Sequence, residues 1–344
     1  MNIKVLDCTL RDGGYVNNWM FPKSFTKDVV NSLANSSIDI VEIGYLVGPD
    51  SSRNVFGTVF SDITHAEEII NKTKKHKTEY ALMLDVAQIT IADIPKYNGG
   101  AIKNIRLVFY KHQVNDAKKY AEKIIENGFK LFLQPMVTID YDDTQLADLI
   151  EKIGKDCTAI SIVDSFGNLF NDDLYRLIDI IGVNTNSDVS IGFHSHNNAQ
   201  LSIQLSINFI EYLSNRYPHR DLIIDSSLFG IGRGAGNLQT EVICNFLNKF
   251  YKTDKYDVIN LIATSEEKII PLGLNKSAWG FNPHHFITSY FGVHPNYARF
   301  AFKVNPAINI REFIDFISTI ESFDKYKCTL DKTAKLYSNF SNGP

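Results

Sequence analysis

The stretch 189–198, VSIGFHSHNN, places His194 and His196 at the end of a short apolar run. The run is rich enough in apolar and β-branched residues to predict a strand. Residues two apart on a strand point to the same face, so both imidazoles can reach one metal ion. A histidine pair that binds nothing is the alternative, and the surrounding sequence decides between the two.

Similar runs recur at fairly even spacing through the first 230 residues. We predict eight strands, at 3–8, 38–45, 80–85, 104–110, 130–136, 159–164, 189–194 and 222–227. Amphipathic stretches of helical length lie between them, for example 116–127, 143–153 and 199–213. The pattern therefore predicts eight βα units that end near Phe250.

Eight βα units in about 250 residues are typical of a (β/α)8 TIM barrel. A doubly wound parallel sheet also alternates strands and helices, but polar residues at the ends of several strands favour the barrel. The pattern changes after Phe250: 256–270 predicts a helix, and 279–297 is aromatic and rich in His and Pro. We expect a barrel domain at 1–255 and a helical C-terminal extension at 256–344, which closes over the site or mediates dimerisation.

Composition excludes several classes of protein. Hydrophobic residues make up 44% and charged residues 22%, and the net charge is -4 without long blocks of like charge. These values are typical of a folded domain and predict no binding to nucleic acid or to a membrane. The four cysteines are scattered without metal-site spacing, which indicates reduced thiols. No secretory signal or long apolar segment is evident, so we expect a cytoplasmic protein.

Two further strand ends carry polar motifs. The first strand runs into DCTLRDGG (7–14), where Asp12 can complete a two-histidine, one-carboxylate metal set. A surface ion pair between Arg11 and Asp12 is the alternative. The eighth strand runs into FGIGRGAGN (229–237), whose alternating glycines, Gly234 among them, can cradle an anion with backbone amides. A loose dinucleotide pattern in this loop lacks the acidic residue that should follow it.

Five motifs in this order, DCTLRDGG, VEIGY, IVDSFG, GFHSHNN and GIGRGAGN, resemble those of the DRE-TIM metallolyases, which include aldolases, CoA lyases and acyltransferases. The resemblance implies a TIM barrel and a divalent metal, Mn2+ or Mg2+ before Zn2+. The residues that it implies as metal ligands are Asp12, His194 and His196, with Asn237 as a further one. It also implies that Arg11 stabilises an enolate and that Glu42 lies near the site.

Within this superfamily, SSLFGIGRGAGNLQTE (226–241) is most similar to the 4-hydroxy-2-oxovalerate aldolases. It lacks the cysteine of the CoA lyases and has Arg233 where the synthases have an acid. We therefore expect a carbon–carbon lyase that acts on a 2-oxo acid and an aldehyde through a pyruvate-type enolate. A Claisen-type acyltransferase using acetyl-CoA and a non-catalytic binding barrel are the alternatives.

The sequence departs from the aldolases at two positions. Tyr15 stands where they carry a catalytic histidine, so the resemblance leaves Tyr290 and His294, in SYFGVHP, as candidate catalytic residues. Arg233 replaces a small residue and is suited to bind a second anionic group of the substrate. Pairing of Arg233 with Glu241 is the alternative. We expect Tyr15, Arg233 and Gly234 to contact substrate.

The aromatic segment 279–302 predicts a homodimer with this segment at or near the interface. The related aldolases couple to a dehydrogenase through their C-terminal region. No such partner is assumed, because the C-terminal sequence here departs from theirs.

Overall fold

The computed structural model describes residues 1–70, 77–273 and 279–342. All eight predicted strands are present within two residues of their expected ends. A ninth, two-residue strand (β3) was not predicted. The strands are β1 (Ile3–Asp7), β2 (Ile40–Leu46), β3 (Val59–Phe60), β4 (Glu79–Asp85), β5 (Ile102–Phe109), β6 (Lys130–Pro135), β7 (Ala159–Asp164), β8 (Ser190–Ser195) and β9 (Leu222–Ser226).

All strand pairs are parallel, and the sheet closes on itself. Strand β1 pairs with β9 at Ile3 and Leu222, and with β2 at Leu6 and Ile40. Strand β3 lies outside this ring and only extends the edge of β2. The fold is therefore an eight-stranded TIM barrel, as predicted, and the doubly wound alternative is wrong.

Helices surround the barrel and continue beyond it. They are α1 (Gly14–Asn17), α2 (Lys23–Asn35), α3 (Ile63–Glu67), α4 (Val114–Glu126), α5 (Asp143–Leu149), α6 (Asn171–Asn184), α7 (Ser202–Arg216), α8 (Thr240–Phe250), α9 (Val258–Thr264), α10 (Pro283–Tyr290), α11 (Asn296–Val304), α12 (Ile310–Ser318) and α13 (Leu330–Ser341). Short π and 3-10 turns prolong α9 to Gly273, which accounts for the predicted helix at 256–270. None of the helices in the described ranges is long and apolar enough to cross a membrane.

Burial on both faces explains the apolar composition of the strands. Every residue of β2 and β7 is buried, because helices cover one face and the barrel interior the other. Inside the barrel, small and large side chains alternate, for example Ala81 and Ala159 beside Phe132. This packing leaves the carboxyl ends of the strands as the place where polar side chains gather.

The C-terminal helices have a core of their own. Phe313, Phe316 and Tyr297 are central to it, whereas Leu261 of α9 packs in the main core around the barrel. The C-terminal helices also contact the loop after β7, where Ser289 Oγ donates a hydrogen bond to the carbonyl oxygen of Gly167 at 2.7 Å. Helix α10 therefore lies at the carboxyl end of the barrel.

Candidate active site

Three side chains that could hold a metal ion meet at the carboxyl end of the barrel. Asp12 follows β1, His194 lies on β8 and His196 follows β8, and one ligand atom from each lies within 4.8 Å of the others. None is more than 4% exposed. Two imidazoles and one carboxylate form a donor set that suits a first-row divalent ion. The structure thus brings together the three residues expected as ligands.

The surrounding polar atoms fit a cation at this point. His196 Nδ1 and Asn237 Oδ1 are buried without a hydrogen-bond partner. Burial lowers the pKa of His196 well below its usual value, so its imidazole is neutral, as a metal ligand must be. The Nδ2 atom of Asn237 donates to Asp12 Oδ2 at 2.8 Å, which places this side chain beside the three ligands.

A buried network of charged side chains orients two of the candidate ligands, Asp12 and His194. Arg11 pairs with Asp12 and donates from Nε to Glu42 Oε2 at 2.8 Å. Arg106 donates to the same oxygen of Glu42 at 2.8 Å and pairs with Asp225. The network therefore runs without a break from Asp12 through two arginines to Asp225, which contacts His194.

Charge pairing keeps the Asp12 carboxylate ionised. Burial, the largest single effect, would raise the pKa of Asp12, but the neighbouring positive groups together, with the guanidinium of Arg11 the strongest of them, outweigh burial and hold that pKa well below the usual range. The pKa of Arg11 is raised in turn: burial would lower it, and the carboxylates of Glu42 and Asp12 outweigh burial. A full negative charge is thus available to a metal ion, beside a cation that faces the same space.

Asp12, His194 and His196 line a cavity of about 130 Å³. Its wall also contains Tyr15, Tyr45, Arg53, Asp85 and Tyr110. Burial raises the pKa of the Tyr15 phenol, but the cations of Arg53 and Arg233 outweigh burial, and the net pKa is lowered. Tyr15 is therefore a phenol that can exchange a proton more readily than an ordinary tyrosine.

Arg233 and His294 form the outer part of the cavity wall. Arg233 donates to the carbonyl oxygen of Ser165 at 2.8 Å, and its other terminal nitrogen lies 3.0 Å from His294 Nε2. The predicted alternative partner, Glu241, instead accepts from the backbone N–H of Phe229 at 3.1 Å. Burial lowers the pKa of His294 well below its usual value, so the ring beside Arg233 is neutral.

Tyr290 and Gly234, also predicted as site residues, do not line this cavity. The side chain of Tyr290 is 76% exposed and does not line the cavity. Gly234 lies in the loop after β9 with a positive φ of 68°, and a Cβ there would stand 2.6 Å from Asn198 Oδ1. Gly232, in the same loop, leaves room for Asp12: a Cβ there would stand 2.6 Å from Asp12 Oδ2.

Sequence reasoning missed Arg106, Asp225 and Arg53. The first two lie at buried positions of strands β5 and β9, and a buried charge in a strand signals a buried partner. Arg53 comes from the connection between β2 and β3, and it lies 3.8 Å from Asp85 and over the ring of Tyr45. No periodic pattern in the sequence marks that position.

Comparison with known proteins places this geometry in a family. The profile of the HMGL-like family matches residues 2–267. A 4-hydroxy-2-oxovalerate aldolase of Thermomicrobium roseum is 26% identical over 274 residues, 78% of this chain and 73% of that protein. An oxaloacetate decarboxylase of Mycobacterium tuberculosis is 21% identical over 84% of this chain and 82% of its own.

Solved structures agree in fold. The N-terminal domain of a putative aldolase from Bacteroides vulgatus superposes with a TM-score of 0.68 at 26% sequence identity, covering 94% of this chain and 98% of that one. The similarity thus extends past the barrel into the C-terminal helices.

Proposed function

This chain belongs to the HMGL-like family, and from that premise we propose that it is a divalent-metal-dependent aldolase. It cleaves or forms a carbon–carbon bond of a 4-hydroxy-2-oxo acid through a pyruvate-type enolate. The observation that carries the proposal is the position of Arg11, which pairs with the metal-ligand candidate Asp12 and is held by Glu42 at 2.8 Å. A fixed cation beside a candidate metal site is what an enolate requires.

Asp12, His194 and His196 would hold the ion, with Asn237 beside them. When bound, a divalent ion supplies a Lewis acid that polarises the keto group of a 2-oxo acid. Arg11 then donates a charge-assisted hydrogen bond to the oxygen on which negative charge develops. Glu42 acts by fixing the position of Arg11. Arg106 acts on His194 through Asp225, which it pairs with and which contacts the His194 ring.

Proton transfer at the hydroxyl of the substrate falls to Tyr15 in this proposal. Tyr15 replaces the aldolase histidine, lines the cavity beside Arg233, and has a lowered pKa. His294 is held against Arg233 at 3.0 Å and serves to position that side chain. His294, in the connection between α10 and α11, lies in the wall of the cavity.

Three assays in parallel test the function. With Mn2+ or Mg2+ and pyruvate in D2O, the wild-type protein should exchange the methyl protons of pyruvate, seen by NMR, because enolate formation needs no aldehyde. It should also release pyruvate from 4-hydroxy-2-oxo acids. A thiol-release assay with acetyl-CoA and a panel of 2-oxo acids tests the acyltransferase alternative. Thiol release without proton exchange would overturn the aldolase proposal, and inactivity in every assay would favour a binding barrel.

A matched pair of variants ties the exchange to the metal site. His196→Ala should lose both bound metal, measured by elemental analysis, and methyl exchange. His65→Ala, the same change at an exposed position on α3, should keep both. Equal retention of metal in the two variants would contradict the assignment of His196.

The assembly predicted from the sequence stays a prediction. Phe281, Phe286 and Tyr290 are 63%, 43% and 76% exposed, and we propose that they lie at or near a homodimer interface. Light scattering at micromolar concentration should report twice the mass of the 38.9 kDa chain; a monomer would count against the interface. The cytoplasmic location is likewise a prediction, and no dehydrogenase partner is proposed.

A further inference from the structure

A second cleft, of about 590 Å³, opens beside the catalytic cavity. The two share Tyr15 and Arg233 in their walls. The inner wall of the cleft is the glycine loop at Gly232 and Gly234, and the outer wall comes from α10 and α11. The two spaces therefore adjoin at Tyr15 and Arg233.

Two arginines, Arg233 and Arg299, line the cleft, and no aspartate or glutamate is among the described residues of its wall. His284 and His285 also line it, but burial lowers the pKa of each, so both rings are neutral. Arg299 is exposed and forms no ion pair with any residue in the described part of the chain. The surface therefore offers positive charge without an acidic partner of its own.

Arg233 is the decisive residue, because it is only 6% exposed. Its Nε atom has no hydrogen-bond partner, and its terminal nitrogens face a carbonyl oxygen and the neutral His294 ring. The other two arginines of the cavity have carboxylates: Arg11 pairs with Asp12 and Glu42, and Arg53 lies 3.8 Å from Asp85. Keeping a buried guanidinium without such a partner is costly, and an anionic ligand offsets that cost.

We infer that this cleft binds a carboxylate or phosphate group at the far end of the aldehyde part of the substrate, through Arg233 and Arg299. The inference rests on the proposed aldolase function and narrows its substrate class to anionic aldehydes. The volume of the cleft is several times that of the catalytic cavity, which favours a group several bonds away from the aldehyde carbon. A planar guanidinium suits both anions, since it can donate two parallel hydrogen bonds.

Paired aldehydes test the inference in the condensation with pyruvate. Succinic semialdehyde is compared with butanal, and glyceraldehyde 3-phosphate with glyceraldehyde; the two pairs distinguish a carboxylate from a phosphate subsite. We expect kcat/KM to favour the anionic member of one pair by roughly 10-fold to 100-fold, the range of a charge-assisted hydrogen bond. Equal kcat/KM within both pairs would overturn the inference, even if pyruvate methyl exchange shows that the aldolase chemistry is intact.

Variants at the cleft test whether Arg299 produces the preference for the anionic aldehyde over the neutral one. Arg299→Ala should remove most of the anionic-to-neutral ratio, and Arg299→Lys should restore part of it. Arg311→Ala, at an arginine on α12 that does not line the cleft, should keep the wild-type ratio. If Arg299→Ala lowers both aldehydes equally, or changes neither, Arg299 is not part of an anion subsite and the inference is wrong.

A binding measurement keeps the inference testable if the protein proves to have another activity. Titration calorimetry with glycerol 3-phosphate and with succinate, against glycerol and 1-butanol, should show heat of binding for an anion only, and Arg299→Ala should weaken it. Anion binding without pyruvate exchange would overturn the proposed function and leave the subsite standing. The absence of binding by both anions, together with equal use of the paired aldehydes, would remove the subsite.

Discussion

The Nδ1 atom of His194 lies 3.0 Å from Oδ2 of Asp225, and this contact decides which ring nitrogen is free for a metal ion. Burial would raise the pKa of Asp225, but the guanidinium of Arg106 and the hydrogen bond with His194 together outweigh burial, and the net pKa is lowered. An ionised carboxylate can only accept, so Nδ1 carries the proton. The Nε2 lone pair of His194 is then available in the cavity.

Asp225→Asn should therefore weaken metal binding by roughly 10-fold to 100-fold, because an outer partner that orients a histidine ligand contributes affinity on that scale. Titration of Mn2+ into the metal-free protein measures the change. Asp221→Asn is the matched control: Asp221 precedes β9, at the opposite end of the strand, and bonds the backbone of Asn2. Equal affinities of Asp225→Asn and Asp221→Asn would contradict the role of Asp225.

Arg11→Lys should lower kcat by roughly 100-fold to 1000-fold, because a lysine cannot donate to Glu42, Asp12 and the enolate in the same fixed geometry. Bound metal should be retained. Steady-state kinetics of pyruvate release measure the effect, and Arg220→Lys, a buried arginine whose partners lie around Thr185, serves as the control. A normal kcat with only a raised KM would show that Arg11 binds substrate without stabilising the enolate.

Tyr15→Phe should remove the rising limb from the pH profile of kcat for aldol cleavage. Because the pKa of Tyr15 is lowered, aldol cleavage by the wild type should rise with pH as the phenol loses its proton, below the pH at which an ordinary tyrosine titrates. The variant should lose that limb and roughly 100-fold to 10,000-fold in kcat.

Tyr45→Phe is the natural control, since its hydroxyl lies 3.5 Å from that of Tyr15 and burial raises its pKa well above the usual value. It should keep the rising limb, moved to higher pH because the hydrogen bond with Tyr45 contributes to the lowered pKa of Tyr15. If the rising limb persists in Tyr15→Phe, another group of the cavity transfers the proton, and His294 is the next candidate to test.

The dependence of stability on pH should change in Asp164→Asn. Asp164, the last residue of β7, is buried and accepts from the backbone N–H of Asn168 at 2.9 Å; burial raises its pKa to about 7. Between pH 4 and pH 7 the unfolded chain has released a proton that the folded state still holds. The free energy of unfolding therefore falls as pH rises through this window, by at most about 1.4 kcal/mol per pH unit from this group.

Asp164→Asn should remove that part of the slope, which urea unfolding at several pH values measures. The asparagine can still accept the backbone hydrogen bond through its side-chain oxygen. Asp172→Asn, an exposed position in the first turn of α6, should leave the slope as it is in the wild type. Parallel curves for wild type and Asp164→Asn would show that Asp164 is ionised in the folded protein throughout the window.

The sequence was sufficient to predict the barrel, because eight apolar runs and their polar ends follow directly from the periodicity of strands. It also predicted that Asp12, His194 and His196 lie together, since the carboxyl ends of parallel barrel strands share one face. The partners of Arg106 could not be predicted from the sequence. This side chain joins Glu42, 64 residues away, to Asp225, 119 residues away. Such a pairing depends on which strands face each other across the barrel interior.

The C-terminal segment shows the same limit. The motif SYFGVHP indicated that residues near the substrate lie there, and His294 does line the cavity. Tyr290, four residues earlier, ends α10 with its ring in solvent. His294 lies in the connection that follows α10. Which of the two side chains reaches the cavity depends on where α10 ends and how the chain turns after it, which composition alone does not determine.

The pairing of β1 with β9, at Ile3 and Leu222, is the seam at which the barrel closes, and it also governs when the metal site can exist during folding. Asp12 lies on the β1 side of the seam and His194 on the strand next to β9, so the ligands assemble only when the two ends of a very long loop have met. Closure of this kind is slow, because chain entropy opposes contacts so distant in sequence. A divalent ion at 100 times its dissociation constant would stabilise the closed chain by about 2.7 kcal/mol. A chelator should therefore destabilise the pairing of β1 with β9 as well as stop catalysis.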